Sequence, residues 1–217
     1  MRPILLALFA LLLASNAAPS LPQGGPIPGM VRVRIETSAG AIVVALDAKH
    51  APRTTANFLA YVDDGRFEGT TFYRAARRKG APQFGFVQGG IGTDQRRTLG
   101  WIPIEPTNVT GLRHLDATLS MAHGPDPNSA TGNFSIMVGA NPGLDARGNS
   151  KGFAAFGRVI AGMDVVRRML AMPTGGGRDD MKDQMILKPV TILGAKRLDG
   201  TPRPTGMPKA WQLVPKR

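Results

Sequence analysis

Cysteine is absent from this chain of 217 residues, so no disulfide staples the fold and no thiolate can act as nucleophile or metal ligand. Histidine occurs only at positions 50, 114 and 123, with no carboxylate cluster at ligand spacing beside them. No metal and no cofactor is therefore expected. A nucleophile elbow, a P-loop and a dinucleotide fingerprint are all missing, which argues against serine hydrolases of that type and against nucleotide-dependent enzymes. Acidic side chains are scarce, 15 against 27 basic ones, for a formal charge of +12. The cations are scattered apart from Arg77-Arg78-Lys79 and Arg96-Arg97, and there is no arginine-rich helix or aromatic–basic ladder. Nucleic acid is not an expected partner. Weak contact with anionic envelope surfaces is a third reading of the charge, which salt-insensitive partitioning would exclude.

Long apolar runs are lacking too. Ile4 to Leu13 is shorter than the ~20 residues that span a bilayer. With Arg2 before it and the small residues Ser15 and Ala17 after it, residues 1–17 read as an export signal. The mature chain is then expected to be periplasmic or secreted. Residues 18–30, rich in proline and glycine, read as a linker. Residues 31–198 form the expected domain, and the basic, proline-containing tail 199–217 is expected to be mobile. Apolar content of 42% is enough for a sizeable core and too high for a disordered chain.

Abundant glycine and proline, 27 and 18 residues, favour a loop-rich β architecture. Val31-Arg32-Val33-Arg34-Ile35 alternates strictly, as a strand with one buried face does. Ala41 to Leu46 returns as its hairpin partner after a turn at Ser38-Ala39-Gly40. Pro52 suits a helix start, and Thr55, Phe58, Leu59 and Val62 share one apolar face before Gly65 stops it. Further strands are expected around 70–74, 84–88, 117–121, 134–138, 154–160 and 190–196, with a second helix over 163–170. Many short strands with two helices suggest a closed barrel whose open ends are covered, and whose site lies on the outer surface.

Thr71-Phe72-Tyr73-Arg74, answered by Phe86-Val87-Gln88-Gly89-Gly90 and later by Ser120-Met121-Ala122-His123, resembles the arginine-bearing core of the cyclophilins, the barrel family of peptidyl-prolyl isomerases. Phe153 to Val166 resembles the strand-to-helix segment of bacterial members. That resemblance covers roughly 31–198. It implies a mainly β fold, a closed antiparallel eight-stranded barrel capped by two helices. It implies Arg74 as the catalytic cation and Gln88 as the anchor for the substrate backbone. Phe86, Met121, Ala122, His123, Asn133 and Leu144 are the implied groove residues. Phe84 joins them if the loop 75–86, about four residues longer than in relatives, shifts; otherwise that stretch is a longer exposed loop. Ser135 and Gly143 stand where relatives carry aromatic rings. The expected activity is acceleration of Xaa-Pro bond rotation in unfolded or partly folded exported chains, by a monomer. The alternative is the same barrel as a weakly catalytic peptide-binding module or chaperone.

The chemistry explains why one cation suffices. Rotation about an Xaa-Pro bond meets a barrier of ~18–20 kcal/mol because resonance stiffens the C–N bond. In the twisted transition state the proline nitrogen regains a localised lone pair. A guanidinium aimed at that nitrogen binds the twisted form better than either planar isomer, which speeds both directions.

Overall fold

A computed structural model describes residues 25–213. The export-signal reading of 1–17 lies outside them. Eight antiparallel strands close a barrel: β1 (Met30–Thr37), β2 (Gly40–Asp47), β3 (Thr71–Arg78), β4 (Ala81–Gly90), β5 (Thr118–Met121), β6 (Asn133–Val138), β7 (Ala154–Ala161) and, past the two-residue β8 (Thr174–Gly175), β9 (Met185–Arg197). Their order around the barrel is β1-β2-β7-β5-β6-β4-β3-β9, and β1 pairs with β9 to close it. Closure leaves no unpaired edge on these strands.

The alternation in β1 is expressed directly: Val33 and Ile35 are buried inside. Arg32, on the other face, makes a bidentate ion pair with Asp199 at 2.8 and 3.0 Å. The barrel is filled by Phe58, Phe67, Phe72, Phe134 and Phe156, with Phe58 meeting Phe134 edge-on at 5.1 Å between ring centres. Helix α1 (Pro52–Asp63) closes one end. No side chain at its own N-cap bonds its first turn; Glu105 does so from a distant loop, accepting the backbone N–H groups of Arg53 (3.1 Å) and Thr54 (2.8 Å). A single turn, α2 (Thr107–Thr110), follows, and α3 (Met163–Ala171) closes the other end on Val165, Val166, Met169 and Leu170.

Two expectations are corrected here. The stretch 75–86 is no loop: β3 and β4 run on through it as a hairpin, turning at Lys79-Gly80. Arg77 and Arg78 are engaged within the fold. Arg77 donates to the carbonyls of Leu170 and Met172 at the end of α3, where the helix dipole favours a cation. Arg78 donates to the carbonyl of Ala140. The tail 199–213 is docked along the barrel as a strap. Asp63 accepts the Arg203 N–H at 2.9 Å and Asp64 accepts that of Thr205 at 2.7 Å. Trp211 lies against both Arg66 and Arg97, whose guanidinium carbons are 4.8 and 5.0 Å from its ring centre. Composition alone hid this, because the strap is held by polar groups of the domain and buries little of its own.

Candidate active site

Arg74 sits in the middle of β3, paired with Gln88 on one side and Met185 on the other. The ladder skips a residue between Phe72 and Arg74 against both neighbours, a bulge that turns the side chain outward onto the barrel surface. There it lines a hollow of about 680 Å³ with Phe86, Ser120, His123, Leu144 and Phe153. The guanidinium carbon lies 5.1 Å from the Phe86 ring centre. Its plane is set by three acceptors: Nη1 donates to Gln88 Oε1 (3.0 Å), Nε to Gln184 Oε1 (2.9 Å) and Nη2 to the Asp180 carbonyl (2.8 Å). A guanidinium has five N–H groups, so two remain, one on each terminal nitrogen. Burial pulls the Arg74 pKa below its ordinary value, while Tyr73 and Asp180 oppose the drop. The group stays cationic at neutral pH in a partly dry site, where its field is strongest.

Gln88 has spent its carbonyl oxygen on Arg74, which leaves its NH₂ to bind a peptide carbonyl. It also borders a second hollow of about 520 Å³, lined with Tyr73, Thr93, Thr131, Asn133 and Met181. Burial pushes the Tyr73 hydroxyl up to about 12, so it remains a donor, and it bonds Asn133 Oδ1 at 3.3 Å.

A family model described as cyclophilin type peptidyl-prolyl cis-trans isomerase/CLD matches residues 32–197. This chain belongs to the cyclophilin family of peptidyl-prolyl isomerases. It is 38% identical over 172 residues to a peptidyl-prolyl cis-trans isomerase of Streptomyces antibioticus, covering 78% of this chain and 99% of that one. It is 35% identical to peptidyl-prolyl cis-trans isomerase B of Escherichia coli K12, covering 74% of this chain and 98% of that one. A crystal structure of a cyclophilin type isomerase from Cryptosporidium parvum shares the fold at a TM-score of 0.62 and 22% identity, over 79% of this chain and 99% of that one.

Within this cyclophilin the groove residues expected from the sequence divide. Phe86, Gln88, Ala122, His123 and Leu144 gather with Arg74 around the larger hollow. Two do not. Met121 points into the barrel and is 1% exposed. Strand alternation explains this, for Ser120 and Ala122 take the groove side and the residue between them must face inward. Phe84 lies over Gly139 and Arg78, outside both hollows. It is two residues beyond Phe86 on β4, about 7 Å farther along the strand. Asn133 borders the smaller hollow, but its amide is occupied by both the N–H (2.7 Å) and the carbonyl (2.9 Å) of Gly92. Gly89 and Gly90 are the last two residues of β4. Gly90 has φ +121°, and a Cβ there would press on the backbone of Gly132 and Asn133.

Phe153, which the sequence presents as part of a structural strand, lines the larger hollow instead. Its ring stacks on His123 at 4.3 Å, and the His123 nitrogens in turn face the carbonyls of Gly124 (2.6 Å) and Gly152 (2.9 Å). Phe153 thus brings an aromatic wall to a groove that lacks rings at Ser135 and Gly143. The segment 178–181 and Gln184 also border the cation without a motif to announce them.

His114 is a further residue to which the sequence assigned no role. Fully buried, it donates Nδ1–H to Asp145 (2.7 Å) and accepts the Ser120 hydroxyl on Nε2 (2.8 Å). Its backbone N–H also donates to Asp145, and its carbonyl accepts the Asn141 N–H. Together these bonds fasten the turn carrying Leu144 to the strand carrying Ser120. Burial holds the His114 pKa below its ordinary value, against the pull of Asp145. The neutral ring therefore contributes stability that is fully present above the unfolded histidine value, about 6.5, and is lost as pH falls through the lower folded value. Thermal melts of wild type and H114Q across the acid range check this. The wild-type melting temperature should fall more steeply with acid than that of the variant, and parallel curves would contradict the assignment.

Proposed function

We propose that this cyclophilin catalyses Xaa-Pro rotation in unfolded or partly folded exported polypeptides, with Arg74 as the catalytic cation. The observation that carries the reading is a guanidinium with two uncommitted N–H groups on the wall of an aromatic-lined hollow. A proline ring seated against Phe86, Leu144 and Phe153 brings its nitrogen toward those N–H groups. The Gln88 NH₂ takes a client carbonyl, and the backbone beside Ala122 pairs with the extended peptide. As the C–N bond twists, the nitrogen lone pair localises and the cation's attraction for it grows, which is differential binding of the transition state. No proton transfer and no bond cleavage is involved.

The groove is tested by Phe153→Ala in a protease-coupled assay on a short Xaa-Pro peptide. KM should rise about tenfold, equivalent to ~1.4 kcal/mol of lost apolar contact, with kcat little changed. An unaltered KM would remove Phe153 from the ring wall. A wild-type chain with no rate above background would leave the peptide-binding module as the reading. Export rests on residues 1–17; recovery of the processed chain from the envelope fraction supports it, and retention in the cytoplasm of the full-length chain opposes it. Client peptides rather than nucleic acid are the proposed partners, engaged by a monomer.

A further inference from the structure

The segment between β8 and β9, residues 176–184, has an unusual backbone. Gly176 and Gly177 have φ of +64° and +81°, and Asp179 and Asp183, which carry side chains, have φ of +48° and +61°. Left-handed conformations at non-glycine residues cost free energy and persist where the surroundings impose them. Here the surroundings are the cation. The segment leaves β8, makes one 3₁₀ turn over Asp179–Met181, and closes on itself where the Asp183 N–H donates to the Gly176 carbonyl. That path brings the Asp180 carbonyl to Nη2 and the Gln184 side-chain oxygen to Nε of Arg74. The Gln184 backbone is itself pinned, its carbonyl accepting the Ala75 N–H at 2.9 Å from the residue next to the cation. Gln88 grips the opposite edge of the same guanidinium.

We infer that Gln184 is a positioning residue for the isomerisation, holding the Arg74 guanidinium in the plane that points its two free N–H groups at the proline nitrogen. This rests on Arg74 being the catalytic cation. Without an acceptor on Nε the guanidinium keeps its charge and its bonds to Gln88 and the Asp180 carbonyl, but it loses the third contact that fixes its plane and gains freedom about its last side-chain torsions. Ground-state binding of the peptide, which falls to the hollow and to Gln88, should then survive while the twisted state is stabilised less. The expected signature is a loss in kcat with KM preserved.

The test combines kinetics with the nitrogen–proton NMR resonance of the Arg74 Nε–H, assigned by its disappearance in Arg74→Lys. In the wild type this proton should be slow to exchange at neutral pH. Gln184→Leu should lose the protected resonance and lower kcat about tenfold with KM within about twofold, a misalignment penalty. Gln184→Glu, which restores an oxygen acceptor, should restore the resonance and most of kcat. An unchanged kcat in Gln184→Leu with the resonance gone overturns the inference. So does equal loss of kcat in both variants while Gln184→Glu keeps the resonance. If Gln184→Leu does not fold, an unprotected Nε–H in the wild type is itself sufficient to overturn it. A failure of Arg74 as the cation would appear differently, as full activity in Arg74→Ala.

Discussion

Arg74→Ala should lower kcat/KM on a short Xaa-Pro peptide by about 10²–10³, the range for removing one preorganised donor from a developing charge. The loss should lie in kcat, since the hollow that seats the proline ring is formed by Phe86, Leu144 and Phe153 whether or not the guanidinium is present. Arg74→Lys is expected to fall between wild type and Arg74→Ala. It keeps the charge but cannot bond Gln88, Gln184 and the Asp180 carbonyl from one rigid plane. Circular dichroism should show both variants folded, because the side chain points out of the barrel and is no part of its core. An Arg74→Ala variant that retains the wild-type rate would sink the mechanism while leaving the family assignment standing.

Asp64→Ala should produce the largest loss of stability. Asp64 and Arg66 are each 1% exposed and joined at 2.8 Å. Asp64 also accepts the backbone N–H and the hydroxyl of Thr205, and Arg66 donates to the carbonyls of Arg97, Met207 and Pro208. Removing the carboxylate leaves a buried cation without its counter-charge, which costs about 3–5 kcal/mol. For a domain of this size that lowers the melting temperature by about 6–20 °C. The strap 199–213 should become sensitive to protease at the same time, since Thr205 loses both of its bonds to the domain. The double variant Asp64→Leu/Arg66→Met should be less damaging than Asp64→Ala, because replacing both partners with apolar groups leaves no charge stranded. A shift below about 2 °C in Asp64→Ala would show that water reaches the pair and screens it.

Separation along the chain decides which features are legible in the sequence. The alternation of β1, the apolar face of α1 and the sequence around Arg74 each depend on neighbours within one element, so spacing reveals them. The hairpin that extends 75–86 was hidden because its cations and glycines look like a loop until Arg77 is seen capping α3. Met121 faces the core for a simpler reason. A motif names residues in a row, whereas a strand sends alternate side chains to opposite faces, and only pairing with β6 and β7 shows which face is the groove. Phe153 and Gln184 carry no local sign of a groove role, since one stands just before β7 and the other just before β9, each far from Arg74 in sequence.

What the sequence alone determined was the barrel, its two main helices and the one cation worth examining, because periodicity and local motifs encode burial and strand direction. What tertiary structure decided was everything that orients that cation: the bulge at Phe72–Arg74, the three acceptors from β4 and the 176–184 turn, and the His123–Phe153 stack. The physical reason is that hydrogen bonds and ring contacts act over a few ångströms between groups brought together only when the barrel closes. Chain distance says nothing about which of them will meet.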